Sequence, residues 1–271
     1  MNAVVQTPLA ELRQGLHVSV SQVKAYVMCP KKYEFQYVLG TPQSHRSVAL
    51  SFGSAIHHAL ALHYEKMKDT GSRPPVEELH ASFADRMDVE FRDSSIPIRF
   101  DDGQDAGKVK DQGIAMLSSF HEKGFHPDEV LSVEQPFGVS IADPATGVVL
   151  EPMLVGAIDL VARHQGRVVL VEHKTAARRF DETRLRFDPQ PTTYVFAARS
   201  LRLVNPAVAF HVLLKSKGNP VEYTLVTRTK ADEVEMLETF AAVLKAVESA
   251  AFYRIRGWAC GDCAFARRCN G

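Results

Sequence analysis

The sequence predicts an α/β fold in a single domain, with a helical part in front of the strands. Three stretches rich in β-branched residues follow one another at 130–141, 153–162 and 167–176, which is typical of successive strands. Two more strands are predicted at 207–216 and 221–228. An amphipathic helix follows at 231–251. Neither an internal repeat nor a linker divides the chain.

The N-terminal part reads as helical. Ser19 and Gln22 have the spacing of a capping box in front of a first helix. Cys29-Pro30 interrupts this helix, and a second short helix is predicted to end at Gly40. A third helix is predicted from about Phe52 to Lys68, followed by further helical sequence to about Lys123. This region contains a loop at 92–107. One more helix is predicted after the first three strands, at 189–203.

Composition excludes several classes of protein. Hydrophobic residues make up 45% of the 271 residues, so the chain is neither a disordered tail nor a small disulfide scaffold. Lys and Arg total 32, as do Asp and Glu, which excludes a polycation but not a local nucleic-acid site. No apolar run reaches the roughly 20 residues of a membrane span, and residues 1–15 lack the pattern of a signal peptide. We therefore expect a cytoplasmic protein with reduced thiols.

The most informative stretch is the predicted hairpin at 156–175. If Gln165-Gly166 forms a two-residue turn, the numbers of facing residues add up to 331, which pairs Asp159 with Glu172. Alternation of side chains then places Glu172 and Lys174 on one face of the strand and His173 on the other. Asp159, Glu172 and Lys174 are therefore predicted to converge.

Two facing carboxylates repel each other unless a cation lies between them. Carboxylate oxygens suit Mg²⁺ or Mn²⁺, and a lysine beside the metal can orient or deprotonate a water and neutralise charge on a phosphate. This set of groups favours metal-assisted hydrolysis of a phosphodiester. The alternative is a surface strand with a Glu-Lys pair and one exposed Asp. It is weakened by the position of Asp159 in an otherwise apolar strand.

The pattern G-x-x-D, hairpin, E-x-K-T resembles the catalytic core of the PD-(D/E)XK nucleases. Gly53-x-x-x-His57 and Gln190-x-x-x-Tyr194 match two further motifs of the RecB-type branch of that superfamily. The resemblance runs from about Ser19 to Cys269. It implies a restriction-endonuclease-like core, with a mixed central sheet flanked by helices.

The resemblance also implies roles for individual residues. Asp159, Glu172 and the backbone carbonyl of His173 would bind the metal, with His57 as a nitrogen ligand. Lys174 would act on the attacking water. Gln190 and Tyr194, four residues apart on a helix, would shape the active site and hold DNA. Glu134, in the preceding strand, is a weaker candidate for the same site. A lone helical histidine is usually a surface or core residue, so the claim for His57 depends on the combined motifs.

Four cysteines form a second candidate site. Cys260, Cys263 and Cys269 lie close together near the C-terminus, and Cys29 stands about 230 residues earlier. Four thiolates can bind zinc or an iron–sulfur cluster. The spacing resembles that of the iron–sulfur nucleases of the RecB type, which include the AddB nuclease domain and the CRISPR-associated spacer-processing exonucleases. This resemblance implies a [4Fe–4S] cluster that ties the first helix to the C-terminal segment. Four free thiols are the alternative.

Basic residues recur near these motifs, with aromatic residues between them. Lys31, Lys32, Arg178 and Arg179 are predicted to contact DNA, and further basic residues lie at 184, 186, 267 and 268. The interleaved aromatics are Tyr33, Phe35, Tyr37, Phe180 and Phe187. A basic groove with stacking platforms suits single-stranded DNA, whereas the alternative is an ordinary solvated surface.

Together these observations predict a metal-dependent DNA nuclease that acts as an exonuclease on single strands or frayed ends. We expect one domain over 1–271: a helical part at 19–125, a catalytic core at 130–228, and a final helix with the cysteine cluster at 230–271. Repair, recombination, phage DNA metabolism and CRISPR adaptation are the candidate settings, with a helicase or integrase as a separate partner and an oligomer left open. The competing hypotheses are a silent DNA-binding scaffold subunit and a zinc-stapled regulatory domain.

Overall fold

A mixed β-sheet forms the centre of the protein in the computed structural model, which describes residues 7–93 and 95–270. Its strands are β1 (His17–Val18), β4 (Glu129–Val139), β5 (Met153–His164), β6 (Arg167–Ala176), β7 (Ala207–Leu214) and β8 (Val221–Val226). The strands β2 (Arg46–Ser47) and β3 (Ile98–Arg99) form a separate short pair. The predicted α/β fold with a mixed sheet flanked by helices is confirmed.

The order of the sheet is β1-β5-β6-β7-β8, and β4 also pairs with β5. Strands β4, β5 and β6 form an antiparallel meander, β7 runs parallel to β6, and β8 is antiparallel to β7. The parallel step needs a crossover. This connection contains α7 (Glu182–Phe187) and α8 (Pro189–Ala198).

The hairpin between β5 and β6 has the predicted register. His164 pairs with Arg167 and Leu160 pairs with Val171, so facing residue numbers add up to 331. Gln165 and Gly166 both have positive φ, at 49° and 75°, as a two-residue type I′ turn requires. This turn sets the register of the two strands that carry Asp159 and Glu172.

Helices cover both faces of the sheet. The remaining helices are α1 (Leu9–Leu12), α2 (Val20–Met28), α3 (Pro30–Tyr33), α4 (Val48–Thr70), α5 (Val76–Arg92), α6 (Ala106–Lys123), α9 (Lys230–Glu248) and α10 (Ala266–Asn270). A π-helical turn at Glu34–Val38 extends α3, and a 3₁₀ turn covers Trp258–Cys260. One core joins α4, α5 and α6 to one face of the sheet, and a second joins α2, α8 and α9 to the other.

Most predicted elements lie where the sequence placed them. Ser19 caps α2 by accepting a hydrogen bond from the Gln22 backbone N–H at 3.3 Å, and Gly40 has the expected positive φ of 55°. Helix α4 begins at Val48, earlier than the predicted Phe52, and α8 ends at Ala198 rather than at 203. The short elements β1 and α7 were not predicted.

Within the described ranges, no helix has the length and apolar character needed to cross a membrane. The expectation drawn from residues 1–15 falls partly on residues 1–6, which lie outside those ranges.

Candidate active site

The candidate site lies where β5 and β6 separate. The paired residues of the hairpin end at Leu160 and Val171, so Asp159 and Glu172 are the next positions on the two strands. The Asp159 side chain replaces a backbone carbonyl as the partner of the next strand, because its Oδ2 accepts a hydrogen bond from the His173 backbone N–H at 2.7 Å. The fold therefore opens the sheet at the point where the two acidic residues stand.

Asp159 is almost fully buried, with 9% of its surface exposed. Burial raises the pKa of its carboxyl well above the usual range, and the negative charges of Glu172 and Glu134 raise it further. His57, on α4, places its Nδ1 3.6 Å from Asp159 Oδ2. Burial lowers the pKa of His57, which favours the neutral imidazole with a lone pair free for a metal.

Glu134 stands opposite Asp159 on the other neighbouring strand. Its neighbours Val133 and Gln135 pair with Leu160 and Ile158, whereas Glu134 itself has a φ of 47° and interrupts the regular ladder. Ligand atoms of His57, Glu134 and Asp159 all lie within 4.8 Å of one another. One nitrogen and two carboxylates from α4, β4 and β5 thus form a cluster that suits a hard divalent cation.

Glu172 is buried on the other side of Asp159 and has two partners. Its Oε1 accepts a hydrogen bond from Lys174 Nζ, and its Oε2 accepts one from the Tyr194 hydroxyl. Tyr194, on α8, is fully buried, and burial raises the pKa of its phenol well above the usual value. A hydrogen bond with the Gln190 side chain lowers the pKa of Tyr194, against the effect of burial. The two residues of the Gln-x-x-x-Tyr motif therefore reach the same carboxylate region.

Lys174 carries the positive charge of this cluster. Burial lowers the pKa of its ammonium, but the carboxylates of Glu172 and Asp159 outweigh this effect, so the pKa is raised overall. The ammonium also lines an open cleft of about 690 Å³ together with His57 and Glu134. Lys174, His57 and Glu134 therefore face the cleft, with the buried carboxylates of Asp159 and Glu172 behind them.

The wall behind the site is built from buried histidines. The His173 ring stacks on Tyr64 with ring centres 5.4 Å apart, and its Nδ1 lies 3.1 Å from Nδ1 of His211. His211 Nε2 accepts a hydrogen bond from the Phe125 backbone N–H, which places the His211 proton on Nδ1. His63 is fully buried beside them, and burial lowers its pKa to about 3. These neutral rings fix the strand that bears Glu172 and Lys174.

The four cysteines, all free and half-buried, line one small cavity. Cys29 lies between α2 and α3, and the other three lie after α9. No three of their sulfur atoms fall within 4.8 Å of one another. The cavity nevertheless brings the four thiols into one space.

The basic and aromatic residues divide into two groups. Tyr33 and Phe35 are buried in the core, so the prediction that they offer stacking surfaces is wrong: their rings pack inside the N-terminal helices. Phe187 and Tyr37 are exposed. The basic residues also fall into two groups, according to whether they are held in ion pairs.

Two of the four predicted DNA contacts are engaged in ion pairs. Lys31 pairs with Glu34, and Arg179 pairs with Glu222 at 2.7 Å. Lys32 and Arg178 have no ion-pair partner among the described residues. These two are therefore the more available cations.

Sequence reasoning gave too little weight to Glu134. The signal would have been the register of β4 against β5, in which residues 133 and 135 flank the position opposite Asp159. A bulge between Val130 and Ser132 shifts this register, and the sequence does not reveal the bulge. It also missed Asp188, which caps α8 and pairs with Lys24 at 2.8 Å.

Comparisons with known proteins agree with this architecture. The crystal structure of a "Putative exonuclease" from Eubacterium rectale is similar, with a TM-score of 0.58, 12% sequence identity, and coverage of 99% of this chain and 92% of that one. At this identity the likeness shows the fold. A second solved structure, SSO0001, has 12% identity over 88% of this chain and 92% of that one, but its TM-score of 0.33 is too low to show a common fold. No curated protein matched the sequence.

A family model matches nearly the whole of the described chain, from residue 17 to residue 270. That range contains the opened hairpin, the histidine on α4 and the tyrosine on α8. The chain therefore belongs to the PD-(D/E)XK nuclease superfamily.

Proposed function

We propose that this nuclease-family chain is a divalent-metal-dependent deoxyribonuclease that acts as an exonuclease on single-stranded DNA or frayed ends. The observation that carries the proposal is the convergence of His57, Asp159, Glu172 and Lys174 where β5 and β6 separate, beside an open cleft that His57 and Lys174 line. Buried acidic groups without enough positive charge around them are what a divalent cation would neutralise.

The residues present fit such a cation. His57, Glu134 and Asp159 offer one nitrogen and carboxylate oxygens within 4.8 Å, a donor set suited to Mn²⁺ as well as Mg²⁺. Glu172 and the His173 backbone carbonyl are the further ligands that we propose. When bound, the cation would polarise the phosphate and lower the pKa of a coordinated water.

The chain's own groups have separate tasks in this proposal. Lys174, held against Glu172, is placed to orient or deprotonate the attacking water and to neutralise charge on the phosphate. Tyr194 donates its hydroxyl proton to Glu172 and fixes the direction of that carboxylate. Gln190 lies beside Tyr194 on the same face of α8. Both residues are positioning groups in this scheme.

Open access to the cleft and the nearby cations support a DNA substrate. Lys32 and Arg178 are free to contact phosphates, whereas Lys31 and Arg179 would first have to leave Glu34 and Glu222. Phe187, with 63% of its surface exposed and Arg186 over its ring, is a candidate platform for an unpaired base. Exposed stacking surfaces of this kind support single strands over duplex.

We further propose that Cys29, Cys260, Cys263 and Cys269 hold a [4Fe–4S] cluster, as in the RecB-type branch. Their common cavity supports a shared group, and the resemblance to the iron–sulfur nucleases of the RecB type favours a cluster over a single zinc ion. The cluster would supply a cross-link between the first helices and the C-terminal segment. Iron content and a brown colour would separate it from zinc.

The proposal extends to the setting of the enzyme. A cytoplasmic exonuclease of this kind would serve DNA repair, recombination, phage DNA metabolism or CRISPR adaptation. It would work with a separate helicase or integrase, either as a monomer or as an oligomer.

The test is degradation of end-labelled single-stranded DNA by anaerobically purified protein with Mn²⁺, Mg²⁺ or EDTA. We expect metal-dependent cleavage that falls by at least about 10³-fold in Asp159→Ala, since loss of a central charged group typically costs this much. Asp69→Ala, at an exposed position of α4, is the matched control and should retain full activity. A folded, metal-supplied protein that leaves DNA intact would instead support the silent or partner-dependent scaffold.

A further inference from the structure

Lys215 is a charged residue that the catalytic scheme leaves unused. It follows the end of β7, beside Ala176 of β6, to whose carbonyl its backbone N–H donates a hydrogen bond at 2.8 Å. Its ammonium lies 4.2 Å from the centre of the Phe52 ring on α4. The side chain therefore lies on the face of the sheet that α4 covers, the same face from which His57 reaches the site.

This ammonium is half-buried and has no hydrogen bond or ion pair with any described residue. Burial lowers its pKa, and Asp101 raises it from a distance beyond ion-pair range. A desolvated charge without a partner costs free energy, and contact with one aromatic ring offsets only part of that cost. An anion bound at this position would supply the missing partner.

The space in front of Lys215 is a groove of about 550 Å³ that adjoins the active-site cleft. Ala49 and Thr175 line both spaces, so the groove continues the cleft along the edge of the sheet. Lys108 and Gln112 of α6 also line it; Lys108 already donates to the Gly103 carbonyl and Gln112 to Asn219 Oδ1, and each keeps a further N–H to donate. Asp101 is the acidic side chain in its wall.

We propose that this groove is a phosphate subsite in which Lys215 binds a backbone phosphodiester of the same DNA strand that enters the active site. The inference rests on the proposed function. Lys174 pairs with Val212, and Lys215 lies three residues farther along the neighbouring strand, about 10 Å along the strand direction and on the face that α4 covers. The phosphate held there is therefore a different one from the phosphate at the active site, farther along the same strand.

A strand of DNA fits this groove better than a free anion does. The groove meets the cleft at Ala49 and Thr175, and its wall carries two cations, Lys108 and Lys215. A polyanion that enters the cleft would pass both cations. The subsite would therefore act on binding and on the register of the substrate, not on the chemical step.

The test compares Lys215→Met with Lys217→Met, which removes the same charge from an exposed position two residues later. Binding of a fluorescein-labelled oligo(dT) of 20 nucleotides is measured by anisotropy in EDTA, at several salt concentrations. We expect Lys215→Met to weaken binding about tenfold and to reduce the slope of log Kd against log salt by about 0.7, the value of one lost phosphate contact on a single strand. Lys217→Met should change Kd less than about twofold.

Stability provides a second readout. Met keeps the length of the side chain and removes an unpaired charge, so the melting temperature of Lys215→Met should stay level or rise, and Lys215→Arg should restore tight binding. Equal Kd and equal salt slopes for the two Met variants would overturn the subsite. A failure of the proposed function is seen separately, as wild-type protein that binds DNA but does not cleave it with metal supplied.

Discussion

The active-site cleft and the cysteine segment are held together in different ways. The cleft is built by β5, β6, α4 and α8, all of which are anchored in the two large cores. Between residues 251 and 270, by contrast, Phe265 is the one buried residue, packed against Phe35, while Trp258 is 88% exposed. The sheet and its two cores fix the geometry of the active-site cleft, whereas the cysteine segment has almost no hydrophobic core of its own.

The difference is one of free energy. Burial of a single phenylalanine stabilises by about 2–3 kcal/mol, whereas ordering each residue of a segment costs about 1–2 kcal/mol. Backbone hydrogen bonds, such as those from Lys31 to Tyr253 and from Ser44 to Ala264, add only modest stabilisation. The cleft can therefore form without a bound group, whereas we expect the cysteine segment to depend on the proposed cross-link.

The largest effect that would sharpen this comparison is expected from Cys29→Ala. Loss of the proposed cluster would remove a cross-link that closes a loop of about 230 residues, for which loop-closure entropy predicts about 5 kcal/mol. We expect lost iron, a melting temperature lower by 10 °C or more, and proteolytic cleavage within residues 250–270 while the sheet stays intact. Val27→Ala, at an exposed position of α2, is the control. Unchanged iron content and an unchanged melting temperature would contradict the proposed cross-link.

A smaller effect is expected in the cleft from Tyr194→Phe. Without the hydroxyl, Glu172 Oε2 loses a buried donor, which costs about 1–3 kcal/mol of stability and lets the carboxylate turn away. We expect kcat to fall about tenfold with little change in KM, measured on single-stranded DNA with Mn²⁺.

Tyr64→Phe is the matched control for this variant. Tyr64 is equally buried and also donates its hydroxyl proton, to the Phe125 carbonyl at 2.7 Å, but it lies behind the site. It should lose similar stability and keep its kcat. If both variants lost kcat equally, Tyr194 would have no positioning role of its own.

The two regions also differ in what the sequence could predict. Strand alternation and the Gln165-Gly166 turn are local signals, and together they gave the correct register of the hairpin that carries Asp159 and Glu172. The separation of the strands beyond Leu160 could not be read in this way. It depends on the His173 N–H, which bonds to a side chain instead of a strand partner.

Glu134 and Lys215 show the same limit. Glu134 reaches His57 and Asp159 because a bulge shifts β4 and because φ is positive at that residue, neither of which has a sequence signal at a non-glycine position. Lys215 becomes notable only when α4 is seen to cover it. Motif spacing locates groups on neighbouring strands, whereas contacts between distant elements require the packed fold.

The smallest effect concerns the surface contacts of the cysteine segment. Asp262 pairs with Arg99 at 3.1 Å and with His45 at 3.3 Å, but its side chain is 59% exposed, so water and salt screen both pairs. Asp262→Ala should therefore cost less than about 1 kcal/mol, and 0.5 M salt should abolish the difference from wild type. Thermal unfolding at low and high salt measures this. A loss of several kcal/mol would mean that ion pairs, and not the thiols, hold the segment to the helical part, and the contrast between the two regions would then have to be drawn differently.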